Sequence, residues 1–180
     1  MAWDEKRNIV LCGFMATGKS SVGKRLAELL KRDFVDIDAQ IEAEAGMSIA
    51  QIFASRGEPA FRAMEAQMVR RVAQLSGCVV AAGGGAIVNE TNLMELKRTG
   101  IIVTLTADPD TILARVGSAE DRPLLSGENK RERIRELMER RWEAYCKADI
   151  MVDTSSRSID EVALHIIDCL KARDCDPSNC

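Results

Sequence analysis

Residues 8–20 read NIVLCGFMATGKS, and the architecture of the chain follows from them. Asn8 to Cys12 form a short apolar run ended by Gly13, which suits a strand buried in a parallel sheet. Gly13 to Ser20 match the pattern G-x-x-x-x-G-K-S. From Lys19 onward Val22, Leu26, Ala27, Leu29 and Leu30 recur at three- and four-residue steps, so a helix to about Arg32 packs one face on the sheet. Strand, glycine-rich loop and helix in that order make a phosphate cradle. Glycines let the backbone curl until successive N–H groups point inward, and the helix N-terminus adds the positive end of its dipole. Lys19 then reaches the β and γ phosphates of a nucleotide, and the Ser20 hydroxyl is suited to ligate Mg²⁺. A glycine turn that merely caps a helix accounts for neither the Lys-Ser pair nor the strand before it.

The rest of the chain repeats the alternation of strand and helix. Further strands are predicted at Phe34 to Asp36, Cys78 to Ala82, Ile101 to Thr106 and Ile150 to Asp153. Helical patterns run from Ala39 to about Leu75, with breaks at Gly46, before Ser48 as a cap, and at Gly57-Glu58-Pro59. Others cover Thr91 to Thr99, Pro109 through Val116, Arg131 to about Cys146, and Ser158 to Ala172. The pattern implies an α/β fold, a five-stranded parallel sheet with helices on both faces. Residues 117–130 have no periodicity, and an unstructured stretch of that length in a compact domain usually serves function.

The chain has 180 residues, one domain's worth, and about 70% of its surface can be buried on folding. Lys and Arg total 25 against 28 Asp and Glu, a net charge of −3 that argues against a duplex nucleic-acid partner. No apolar run is long enough to span a bilayer, and the charged N-terminus lacks the apolar core of a secretory signal, so a cytoplasmic location is expected. Six cysteines without CxxC spacing read as buried or incidental thiols, two of them, Cys175 and Cys180, in a polar tail. His165, the single histidine, falls on the closing helix and reads as a packing or surface residue.

A phosphate cradle alone does not separate ATPase, GTPase, small-molecule kinase and regulator. The guanine-reading Asn-Lys-x-Asp is absent, and the strand at 78–82 ends in Ala-Ala-Gly-Gly-Gly, without the usual metal-binding acid. Asp36-Ile-Asp38 supplies carboxylates instead: in a strand, residues two apart point to one side, so both would face the phosphates. One would hold Mg²⁺ and the other would orient an acceptor hydroxyl. Arg62 and Glu65 share a helix face in the segment between the second and third strands. Gly83-Gly84-Gly85 allows a ligand to approach bare backbone. Arg122 and Arg141 complete a set of cations, and planar guanidinium groups suit bidentate carboxylate recognition.

In their order and spacing, these pieces resemble the shikimate kinases over nearly all of the chain from about Ile9 to Leu170. The resemblance is carried by GFMATGKSSVGKRLA, FVDIDAQIE, GMSIAQIF, GEPAFRAME, GGGAI, RPLL, RRWEAY and ADIMVDT. It implies a three-layer P-loop fold of the nucleoside monophosphate kinase type in one domain, with a core at about 8–36, 76–116 and 131–172. An acceptor subdomain at about 37–75, a lid at about 117–130 and a tail at about 173–180 complete it. It further implies ATP and Mg²⁺, with Lys19, Asp38 and Arg122 catalytic and with Ser20 and Asp36 at the metal. Gly13, Ala16, Thr17, Gly18, Lys19, Ser20 and Ser21 would cradle the nucleotide, Arg122 would touch the transferring phosphate from the lid, and Arg115 and Arg157 would flank adenine. Asp38, Arg62, Gly83, Gly84, Gly85 and Arg141 would bind shikimate, with Glu65 orienting Arg62. Two departures stand out: Ala16-Thr17 replaces the Gly-Ser or Gly-Ala of many members, and Ala81 offers no hydroxyl to support a metal-bound water.

The implied reaction is phosphoryl transfer from ATP to the 3-hydroxyl of shikimate by a monomer. The rivals are a kinase of gluconate or of a nucleoside monophosphate, and a non-catalytic nucleotide-binding module.

Overall fold

A computed structural model of the chain describes residues 4, 6–116 and 129–174. Within it, strands β1 (Asn8–Gly13), β2 (Phe34–Asp36), β3 (Val79–Ala81), β4 (Gly100–Thr106) and β5 (Ile150–Asp153) form one sheet. All pairings are parallel and the order is β2-β3-β1-β4-β5. The helices are α1 (Lys19–Leu30), α2 (Ile37–Ala45), α3 (Ile49–Val72), α4 (Glu90–Thr99), α5 (Pro109–Val116), α6 (Lys130–Cys146) and α7 (Ile159–Asp174).

The pleat divides the core in two. Ile9, Leu11, Val79, Val103, Leu105 and Val152 point to one face and bury Val22 and Leu26 of α1 with Val162 and Ile166 of α7. Val10, Cys12, Val80 and Ile102 point to the other and pack with Val69 of α3, Leu93 and Leu96 of α4, Ile112 of α5 and Ile134 of α6. Because β1 is buried on both faces, it reads as a continuous apolar run.

The helix boundaries follow local chemistry. In α3 Ser48 and Gln51 make a reciprocal capping box, and the break foreseen at residues 57–59 is a kink at Gly57 (φ 78°, ψ 167°). Pro59 falls in the first turn after the kink, where its missing N–H costs nothing. α2 stops at Gly46, which takes a left-handed conformation at φ 65°.

One expectation fails. Asp36-Ile-Asp38 is not one strand: β2 ends at Asp36, and Ile37 opens α2. Asp36 caps that helix, its Oδ1 accepting from the N–H groups of Asp38 and Ala39 at 3.1 and 3.3 Å. A carboxylate at this position satisfies donors that the first turn of any helix leaves open, and that chemistry overrides the two-residue period of a strand. Smaller differences are that α1 ends at Leu30, with Lys31 as a left-handed cap, and that α6 takes in Lys130.

In register, Asp36 and Leu11 both stand level with Ala81. The ends of β1, β2 and β3 therefore open onto one sheet edge. From β1 the chain leaves toward α1 on one face, and from β3 toward α4 on the other. Between neighbouring strands this reversal opens the crevice in which α/β proteins bind ligands.

Candidate active site

The loop after β1 has the shape a phosphate cradle requires. Gly13 (φ 127°) and Gly18 (φ 94°) take conformations closed to most residues, and Ala16 is held at φ 60° without being glycine. Thr17 contributes more than its N–H, because its fully buried side chain donates to the Phe14 carbonyl at 2.8 Å and ties the turn. The Lys19 ammonium lies back over the loop, 2.8 Å from the Phe14 carbonyl and 3.0 Å from that of Gly13. Ser20 Oγ donates to Asp36 Oδ2 at 2.6 Å, so the two predicted metal residues do meet. One Asp36 oxygen caps α2 while the other faces the loop. A hydroxyl beside a carboxylate is a hard-oxygen pair that fits Mg²⁺, which binds through one or two protein groups and fills its other positions with water and phosphate oxygens. Among the described residues no cluster of three or more His, Cys, Asp or Glu could hold a metal unaided.

Next to the loop lies a cavity of about 480 Å³ whose walls include Asp38, Arg62, Glu65, Gly83, Gly84, Gly85 and Arg141. All seven are residues that the sequence singles out. The glycine run is explained by what crowds it. A Cβ on Gly83 would stand 2.7 Å from Glu65 Oε1 and 2.8 Å from Asp38 Oδ1, and one on Gly85 would stand 2.5 Å from Arg62 Nη1. On Gly84 it would stand 3.2 Å from the Gly13 carbonyl and 3.6 Å from Arg141 Nη1. Ile49, Phe53 and Phe61 add apolar surface to the lining, and Glu42 and Ser48 add polar groups.

Glu65 is only 1% exposed, and its Oε2 accepts from Arg62 Nη1 at 2.8 Å. Burial raises its carboxyl pKa, against the lowering effect of Arg62, and the nearby Asp38 adds to the rise. Its Oε1 is buried at the cavity wall with no hydrogen-bond partner. Arg141 lies with its guanidinium carbon 5.8 Å from the Phe14 ring centre and its Nη1 3.3 Å from the Gly84 carbonyl.

Tyr145, which the sequence reading missed, shares that carbonyl. Its hydroxyl donates to Gly84 O at 2.7 Å from a nearly buried position, and burial pushes its pKa up to about 12, so it stays a donor. The available signal was its place four residues after Arg141 on the same helix face. The Gly84 carbonyl thus takes two donors, the Tyr145 hydroxyl at the shorter distance and Arg141 Nη1 at the longer. Tyr145→Phe keeps the ring and removes the hydroxyl, and it should raise the KM for the acceptor about three- to tenfold, the worth of one hydrogen bond. Steady-state kinetics with the acceptor varied will read this, and an unchanged KM would remove Tyr145 from the site.

On the far side of the loop a second cavity, of about 350 Å³, is lined by Ala16, Thr17, Gly18, Ser21, Arg115, Thr154 and Arg157 among others. Arg115 donates to the Thr154 carbonyl at 2.6 Å and to its hydroxyl at 3.0 Å. That hydroxyl in turn lies 3.0 Å from the Thr106 carbonyl and 3.2 Å from that of Thr17. Thr154 thus pins this wall to the phosphate loop, a role with no signature in sequence. Arg122, most of the 117–130 loop, and the tail thiols Cys175 and Cys180 lie outside the described residues. The four described thiols are unpaired. Burial pushes Cys12 up to about 11, which keeps it protonated beneath the loop. His165 sits half-buried on α7 with Nε2 3.7 Å from Cys169 Sγ.

Residues 15–171 match the family model described as shikimate kinase. A shikimate kinase of Pelotomaculum thermopropionicum is 46% identical over 165 residues, which are 92% of this chain and 96% of that protein. Among solved structures, the shikimate kinase from Acinetobacter baumannii in complex with shikimate superposes with a TM-score of 0.90 at 35% identity, covering 93% of this chain and 94% of that one. A gluconokinase from Sinorhizobium meliloti 1021 covers 96% of this chain and 94% of its own, but at a TM-score of 0.60 and 17% identity it shares the fold alone. No helix among the described residues is long and apolar enough to cross a membrane.

Proposed function

The chain belongs to the shikimate kinase family, and on that footing we propose that it transfers the γ-phosphoryl group of ATP to the 3-hydroxyl of shikimate. One observation supports this above the others. Two arginines, three carboxylates and bare glycine backbone surround a single cavity beside the phosphate loop.

The acceptor carboxylate is held by Arg62 and Arg141, whose planar groups match its geometry. The ring lies along Gly83 to Gly85, and Asp38 takes a hydrogen bond from the attacking hydroxyl. As the bond from the hydroxyl oxygen to the γ-phosphorus forms, the bond to the β,γ-bridging oxygen breaks and the hydroxyl proton passes to Asp38. Phosphoryl transfer asks little covalent work of a protein, so alignment and charge carry the catalysis. Lys19 stabilises the β and γ oxygens. Ser20 and Asp36 would hold Mg²⁺, which would supply positive charge against the phosphates. The adenine occupies the cavity between Arg115 and Arg157.

The test is ADP release by a coupled assay across shikimate, quinate and gluconate. Shikimate alone should sustain turnover, and a shikimate-independent rate would overturn the assignment in favour of a nucleotide-binding module. Arg62→Lys and Arg141→Lys should each raise the KM for shikimate at least about tenfold, because Lys cannot reproduce a two-pronged contact. Turnover with gluconate at equal kcat/KM would instead favour the broader sugar-acid reading.

A further inference from the structure

We propose that Glu58 is a built-in stand-in for the carboxylate of the acceptor, occupying Arg62 until the acceptor displaces it. The proposal rests on the reading of Arg62 as a carboxylate clamp. A guanidinium can grip a carboxylate in a two-pronged way through its Nε–Nη2 side or its Nη1–Nη2 end. In Arg62 neither is open. Nε and Nη2 both donate to Glu58 Oε1, at 3.2 and 3.0 Å. The Nη1–Nη2 end abuts the backbone of residue 85, where a Cβ would stand 2.5 and 2.8 Å from those two nitrogens. Nη1 also holds the buried Glu65.

The two glutamates differ in what it costs to move them. The Glu65 side chain is 2% exposed and Glu58 is 51% exposed, so Glu58 can swing into water and remain solvated. It follows directly on the kink at Gly57, so it opens the second half of α3. Its grip is also the weaker kind, because a single oxygen serves two donors. An incoming carboxylate can present one oxygen to each nitrogen and win that exchange.

The arrangement also discriminates. A ring with the same hydroxyls but no negative group cannot evict Glu58, so Arg62 stays engaged and contributes nothing to its binding. Shikimate is thereby selected by the group it must supply to release the clamp.

Titration calorimetry of wild type, Glu58→Gln and Glu58→Ala with shikimate and with its carboxamide tests this. The Kd for shikimate should fall about two- to fivefold in both variants, the worth of one exposed ion pair. For the carboxamide the Kd should stay within error of wild type. A shikimate Kd that is unchanged or raised would show that Glu58 steadies Arg62 for the substrate, and would overturn the proposal. An equal gain for both ligands would overturn it too, as a general loosening of the pocket. Absence of shikimate turnover by the wild type overturns the kinase reading itself, a result separable from either of these.

Discussion

Asp38→Asn should lower kcat for shikimate phosphorylation by about 10²- to 10⁴-fold, the range general-base groups contribute. Asn has the same size and can still hydrogen-bond the acceptor, but it cannot receive the hydroxyl proton. Asp38 stands in the first turn of α2, with its Oδ1 close to Gly83 at the cavity wall. The helix should survive the change, since its cap is Asp36. The substitution also removes a negative neighbour that raises the Glu65 pKa, so Glu65 and Arg62 should pair at least as firmly as before. Single-turnover kinetics at saturating ATP and shikimate isolate the chemical step. A variant with normal kcat and a raised KM would reduce Asp38 to a binding group and require another proton acceptor.

Gly13→Ala should damage the fold itself. The backbone at Gly13 has φ 127°, and a Cβ there would lie 2.1 Å from the carbonyl oxygen of Leu105, its partner in register on β4. Neither atom is the end of a flexible side chain, so the central β1–β4 pairing or the start of the loop must move. Backbone strain of about 1–3 kcal/mol adds to that clash, for a total of about 3 kcal/mol or more. In a domain of this size that corresponds to a Tm lower by about 6–12 °C, and nucleotide affinity should fall with it. Gly46→Ala separates the causes, because Gly46 has φ 65° but open space around its missing side chain. It should cost about 1 kcal/mol. Equal losses for the two variants in thermal melts would show that strain alone, without the contact on Leu105, accounts for the effect.

Most of the architecture was legible because its signals are local. The apolar run at 8–12, the loop at 13–20 and the helical spacing after it need nothing from the rest of the chain. The lining of the larger cavity was legible for another reason: Arg62, Glu65, the three glycines and Arg141 are residue types that simple packing would not choose together. What escaped was set by tertiary contact. Asp36 and Asp38 carry the spacing of a strand face, yet the open N–H groups of a helix start claimed the first of them. The part played by Tyr145 shows only where its hydroxyl meets the Gly84 carbonyl, and that of Glu58 only where its carboxylate meets Arg62. Thr154 acts on a loop 137 residues away in sequence, a relation no spacing rule encodes.

A Cβ on Gly84 would stand 3.2 Å from the carbonyl oxygen of Gly13, so the glycine run packs against the backbone of the phosphate loop. Arg141, on the wall of the larger cavity, lies over the Phe14 ring of that loop. That cavity cannot be enlarged past Gly84 without displacing atoms of the loop. If shikimate binds there as proposed, new acceptor preferences should come from changes at Ile49, Phe53 and Phe61, which line this cavity and not the second one.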